Sequence, residues 1–205
     1  MNVRVKICGI TTPEDAVAAA EAGADAIGLM FYAGSPRRVD RVTAAAISAA
    51  LPPFVARVGV FVNPTEGEVR EAIRQCDLDV LQFHGEETPE FCRRFGRRVI
   101  KAFRIQNAAS LNGLPAYAQE TWLLDSFVPG QRGGTGATFN WDLAARAVKA
   151  GGRVILAGGL TADNVADAIR AVQPYGVDVS SGVESAPGRK DRGRMVAFVR
   201  AVREG

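Results

Sequence analysis

Several side chains in this sequence can move a proton or grip a charged ligand, and they stand at the ends of apolar runs or just beyond them. Cys8 closes "VRVKIC" and is followed at once by Gly9 and the helix opening "ITTPED". A free thiol titrates near about 8.5, so a few per cent is thiolate at neutral pH, enough for a base or nucleophile held in position. Cysteine is equally a common core filler, and position alone does not separate the two. Asp125 ends "TWLLD", where an apolar strand delivers a carboxyl to a partly desolvated place. Desolvation favours the protonated form, so such an aspartate can serve as a general acid; a turn cap is the alternative. His84, the single histidine, follows "DVLQF" and can be an acid, a base or a polar lining residue, but one histidine makes no metal site. Arg37 lies in "SPRRV", where a guanidinium can hold a planar carboxylate by two parallel hydrogen bonds. Its neighbour Arg38 can do the same, and a surface ion pair is the bland reading of either.

Two further stretches suit an anion. Gly158 and Gly159 precede Thr161, and Ser180, Ser181 and Gly182 form "SSG" before another turn. Glycine and small residues at the start of helical turns leave backbone N–H groups open to a phosphate, although glycines also merely turn corners.

These residues need elements to position them. Apolar, β-branched runs occur at 3–8, 25–31, 54–62, 79–84, 98–103, 121–125, 153–158 and 176–181, giving eight expected strands. Between them lie helical periodicities: Val69 with Ile73; Val165, Ile169 and Val172; Met195, Phe198, Val199 and Val202. A spacing of roughly 25 residues per strand suits βα units with parallel strands and crossover helices. Eight units predict an α/β fold of the (β/α)8 TIM-barrel type, a single domain over 1–205, with its chemistry at the C-terminal strand ends. The competing doubly wound sheet calls for a G-x-G-x-x-G turn after its first strand, and "CGITTPED" stands there instead. In a barrel, the loops after the seventh and eighth strands are where phosphate commonly binds, and "GG" and "SSG" fall in those loops. "CGITTPEDA" and "GGLTADNVA" echo one another, with Thr11 and Glu14 expected as a capping box and Thr161 as an N-cap. The glycine-rich stretch 126–140 reads as a loop able to close over a ligand.

Composition narrows the class. Hydrophobic content of 47% supports one large core, and 25 Lys+Arg against 22 Asp+Glu leaves a net charge of only +3. The arginine cluster "CRRFGRRV" reads as a solvated helix end, so no nucleic-acid partner is expected. Three cysteines, Cys8, Cys76 and Cys92, without C-x-x-C spacing argue against disulfides or structural zinc, and the last two read as packing beside helices. No signal-peptide pattern and no apolar run of about 18 residues occur, so a cytoplasmic protein with no membrane partner is expected.

Taken in order, "KICGIT", "FYAGSPRRV", "GVFVN", "LQFHGEE", "LLD", "GGTGATFNW", "AGGLTADNV" and "VDVSSGVESAPGRKD" resemble the phosphoribosylanthranilate isomerase family of tryptophan biosynthesis over essentially the whole chain. The resemblance implies an Amadori isomerase acting on a phosphorylated small molecule, N-(5-phosphoribosyl)anthranilate, without metal, nicotinamide or flavin. It implies Cys8 as general base and Asp125 as general acid, and Arg37 for the anthranilate carboxylate. It assigns Gly158, Gly159, Ser180, Ser181 and Gly182 to the phosphate, with His84 and Asp178 lining the pocket. One tension follows: the thiol must ionise while a carboxyl keeps its proton, the reverse of their ordinary order. A related phosphosugar barrel, indoleglycerol-phosphate synthase, calls for lysine and glutamate at the strand ends; here only Lys6 and Lys101 lie in expected strands. A phosphate-binding barrel without catalysis is the reading from another class. Monomer and homodimer are both compatible with the sequence.

Overall fold

A computed structural model of the chain describes residues 3–126 and 141–205. All eight apolar runs form strands: β1 (Arg4–Cys8), β2 (Ala26–Met30), β3 (Ala56–Phe61), β4 (Val80–Phe83), β5 (Arg98–Ile105), β6 (Thr121–Ser126), β7 (Val154–Ala157) and β8 (Gly176–Val179). They pair in parallel and in chain order, and β1 pairs with β8 to close the barrel. Helices α1 (Pro13–Glu21), α2 (Arg41–Ala50), α3 (Glu66–Cys76), α4 (Pro89–Cys92), α5 (Trp141–Lys149), α6 (Val165–Val172) and α7 (Arg192–Glu204) lie between and after the strands.

Side-chain alternation along each strand creates two apolar layers. Val5, Ile7, Leu81, Phe83, Leu124, Leu156 and Val177 join the larger shell between strands and helices. Val58, Ile100, Ala102, Leu123, Ile155 and Ala157 form a smaller cluster of their own, made by the alternate residues of β3, β5, β6 and β7. The inward register therefore holds apolar residues low in the barrel and leaves the last inward position of several strands for polar ones.

Several local expectations need correction. The cap of α1 is Thr12, whose side chain accepts from the Asp15 amide at 3.2 Å, while the Thr11 hydroxyl donates to the Gly188 carbonyl at 2.5 Å. Pro13 begins the helix, so the cap falls one residue later than a Thr11–Glu14 box requires. In the echoing segment α6 begins after Asn164, not Thr161; Thr161 donates its amide to Asn164 Oδ1 at 2.9 Å in the turn before the helix. Two of the eight connections are thin. After β4 the chain makes only the four-residue α4 and a 3-10 turn, and after β5 only a 3-10 helix, Ala108–Tyr117, with Pro115 inside it. Proline and the 3-10 path explain why no full helix forms there. An unexpected antiparallel hairpin, β9 (Glu184–Ala186) with β10 (Arg189–Lys190), follows β8 before α7. The expected closing loop falls on residues 126–140; 127–140 and the Ser126 side chain lie outside the described part.

Candidate active site

β1 delivers Cys8 to the C-terminal mouth. The turn after it is pinned because Gly9 and Ile10 both donate their amides to the Gly28 carbonyl of β2, at 3.0 and 3.1 Å. Gly9 has a φ of +74°, a left-handed conformation that favours glycine, and a Cβ there would lie 2.5 Å from Arg37 Cδ. The stretch "KICGIT" thus forms a strand end held rigidly in one register.

A cavity of about 310 Å³ opens at this end of the barrel. Its lining includes the residues that the family resemblance assigns to the site: Cys8, Arg37, His84, Asp125, Gly158, Gly159, Asp178, Ser180, Ser181 and Gly182. Cys8 and Asp125 approach it from β1 and β6, three strands apart through β8 and β7. Cys8 is 6% exposed, whereas the Asp125 side chain is a third exposed. Asp125 Oδ2 lies 3.6 Å from His84 Nε2, and His84 Nδ1 lies 3.5 Å from Gln82 Nε2. Arg38, the alternative to Arg37, borders a different cavity, between the loops after β2 and β3.

The glycine- and serine-rich loops after β7 and β8 take the conformations their residue types favour. Gly158 and Gly159 have φ of +89° and +64°. Ser181–Val183 is a 3-10 turn, whose first amides have no partner within it. A Cβ on Gly182 would collide with the Leu160 carbonyl, so glycine lets the loops after β7 and β8 close against each other.

Arg37 is not free to grip a carboxylate with its whole fork. Its Nε and Nη2 donate to Glu184 Oε1 and Oε2, both at 2.7 Å. That leaves Nη1 and the second Nη2 hydrogen for a ligand. Lys190, whose side chain is fully buried, donates to the same carboxylate at 2.9 Å and to the Ser180 carbonyl at 3.2 Å. Burial works against ionisation of Glu184, but hydrogen bonds from Arg37 and Lys190 outweigh it and bring the carboxyl down to about 2. One buried carboxylate therefore ties the arginine, through Lys190, to the loop after β8. The sequence reading missed Glu184 and Lys190; the unexpected hairpin is what turns them inward.

Lys6 and Gln82 were also missed. Both occupy the inward register, two residues before Cys8 and His84 respectively, and counting back by two from each candidate finds them. Lys6 donates to Asp178 Oδ1 at 2.8 Å. Burial, and after it the Asp178 carboxylate, push the Cys8 thiol above its ordinary value, while the ammonium groups of Lys6 and Lys190 pull the other way. The deprotonated thiol is consequently scarce but strongly basic. Among the described residues no group of three or more His, Cys, Asp or Glu side chains could hold a metal ion.

Comparisons with known proteins agree on one family. Residues 5–201 match the family model described as N-(5'phosphoribosyl)anthranilate (PRA) isomerase. The N-(5'-phosphoribosyl)anthranilate isomerase of Geobacter metallireducens is 56% identical over 198 residues, which is 97% of this chain and 98% of that one. A phosphoribosyl anthranilate isomerase crystallised in complex with reduced 1-(o-carboxyphenylamino)-1-deoxyribulose 5-phosphate superposes with a TM-score of 0.90 at 40% identity. It matches over 99% of this chain and 100% of that chain. Monomers generated from the dimeric enzyme of Thermotoga maritima give a TM-score of 0.89 at 38% identity, with 99% and 100% covered.

Proposed function

The chain belongs to the N-(5'-phosphoribosyl)anthranilate isomerase family, and on that premise we propose that its cavity works with Cys8 as general base and Asp125 as general acid. The protein is an isomerase, and its reaction is the Amadori rearrangement of N-(5-phosphoribosyl)anthranilate to 1-(2-carboxyphenylamino)-1-deoxyribulose 5-phosphate, in tryptophan biosynthesis. Protonated Asp125 donates to the ribose ring oxygen and the ring opens to an iminium. The Cys8 thiolate then takes the proton from ribose C2, giving an enolamine that tautomerises to the ketone. Ring opening breaks the C1–O bond within the substrate, only protons pass between protein and substrate, and a positioned acid or base typically contributes about 10² to 10⁴-fold.

The observation that carries this reading is the single cavity that gathers thiol, carboxyl, arginine and both anion loops. Gly158, Gly159, Ser180, Ser181 and Gly182 bind the phosphate. Arg37 meets the anthranilate carboxylate with the hydrogens that Glu184 leaves free. His84 and Asp178 orient the substrate and its neighbours. The test is turnover of freshly generated substrate, followed by loss of its anthranilate-type fluorescence. Rapid loss with the wild type and a raised KM in Arg37→Ala are expected; binding of phosphate ligands without turnover would mark a non-catalytic barrel.

We read residues 1–205 as one catalytic domain in the reducing cytoplasm, consistent with Cys8, Cys76 and Cys92 all being free thiols. No helix among the described residues is long and apolar enough to cross a membrane. A homodimer is the assembly we favour. Phe54 is 97% exposed beside a cavity of about 330 Å³ at the N-terminal end of the barrel, and a relative is described as dimeric. Sedimentation should show a dimer for the wild type and a monomer for Phe54→Asp.

A further inference from the structure

Cys8 needs something to hold its negative charge when it acts as a base, and the first amides of the helix that follows are capped by Thr12. The charged and titratable groups that face it come from every side. Lys6 stands on the same strand, Asp178 on β8, Lys190 on β10 and Arg37 in the loop after β2, with His84 and Asp125 on the same cavity wall. Most of the cationic capacity is already committed. Arg37 is held twice by Glu184, and Lys190 spends its contacts on Glu184 and on the Ser180 carbonyl and hydroxyl.

Lys6 is different. Its residue is 3% exposed, its Nζ donates to Asp178 Oδ1 at 2.8 Å, and an ammonium has three hydrogens to give. The position of its head group is fixed by an absence on β2. A Cβ built on Gly28 would lie 2.7 Å from Cys8 Sγ and 3.2 Å from Lys6 Nζ, so both atoms crowd into the space a side chain at residue 28 would fill. Lys6 also borders the cavity at the opposite, N-terminal end of the barrel, so the residue runs up the barrel interior from one end toward the thiol at the other. Asp178 on one side and Gly28 on the other confine the ammonium to the neighbourhood of the sulfur.

We propose that Lys6 is a positioning residue of the active site, its buried ammonium, anchored by Asp178 and admitted by Gly28, serving as the counter-ion of the Cys8 thiolate. The proposal rests on the reading of Cys8 as the base and deepens it. It accounts for how a thiol buried enough to be a strong base still yields a usable thiolate: burial and the nearby Asp178 carboxylate raise it, and the fixed ammonium, larger in its effect than the carboxylate, limits the rise. Asp178 then has a second task beyond lining the pocket, since it holds the cation without neutralising all of its hydrogen-bonding capacity.

The experiment is the pH dependence of iodoacetamide alkylation at Cys8, read at the peptide level so that Cys76 and Cys92 do not contribute, in the full chain. Lys6→Met alone would also leave Asp178 as an unpaired anion, so the decisive comparison is Asp178→Asn against Asp178→Asn with Lys6→Met. Loss of the lysine in that neutralised background is expected to move the Cys8 titration up by about one pH unit or more, a tenfold loss of thiolate at neutral pH. Lys6→Arg, which keeps the charge, is expected to titrate close to the wild type even where its melting temperature falls. Equal titrations with and without the lysine, or an Arg variant that shifts as far as the Met variant, would overturn the proposal. These outcomes are separable from the base assignment. An unshifted titration with an inactive Cys8→Ser rejects the Lys6 counter-ion alone, whereas a shifted titration with a fully active Cys8→Ser rejects the base.

Discussion

At the scale of the residue, the thiol and the carboxylate behind Arg37 carry the most definite consequences. Burial holds the Cys8 thiol above its ordinary value, so the reactive thiolate is a minority species at neutral pH and grows as pH rises. kcat/KM should therefore climb from neutral pH into the alkaline range, and a flat profile there would count against a thiolate base. Glu184 acts in the opposite direction. Its carboxyl lies at about 2 in the folded chain against an ordinary 4.5, so its contribution to stability is complete above about 4.5 and is lost as pH falls toward about 2. Acid unfolding of Glu184→Gln beside the wild type should show the wild type more stable at neutral pH, by about 3 kcal/mol for a buried pair deprived of one partner, with the gap closing toward pH 2. The same variant lets the Arg37 fork move and should raise KM several-fold. The candidate residues were legible because chemistry-bearing side chains stood at the ends of apolar runs. Glu184 and Lys190 were not, because nothing in "VESAPGRKD" marks which of its charges a two-strand hairpin will turn inward.

At the scale of the element, the strands were legible and their connections less so. Apolar β-branched runs mark a strand directly, since each βα strand is buried on both faces. A connection of 3-10 turns such as Ala108–Tyr117 has no such period, and the hairpin of β9 and β10 is too short to leave one. Inward alternation was also readable by counting back from Cys8 and His84, but Lys6 and Gln82 lie inside their strands and not at the ends where chemistry was sought, and that is why they emerged only with the fold. Two substitutions probe the elements around Cys8. Gly28→Ala puts a methyl group 2.7 Å from Sγ and should cost most of the activity while overpacking costs about 1 to 3 kcal/mol of stability. Activity retained at the wild-type level would show that the thiol can move without consequence. At the start of α1, Thr12→Ala should lower stability by about 1 kcal/mol in denaturant melts, because Thr12 and not Thr11 caps the helix.

At the scale of the whole molecule, closing eight parallel strands brings residues 8, 37, 84, 125, 158 and 180 to one mouth, although they are spread along the chain. The barrel interior below them is filled by Val58, Ile100, Leu123 and Ile155, so the cavity is a shallow cup on a packed floor and not a channel. On that floor the proposed base and acid stand on separate strands, β1 and β6, each to act on a different atom of the ribose. The most direct test is kcat and KM for Cys8→Ser and Asp125→Asn beside the wild type, with folding checked by circular dichroism. In each variant kcat is expected to fall by about 10² to 10⁴-fold while KM stays within a few-fold, since the lost group would act in the transition state and not in binding. Either variant turning over near the wild-type rate would contradict the assignment of that residue.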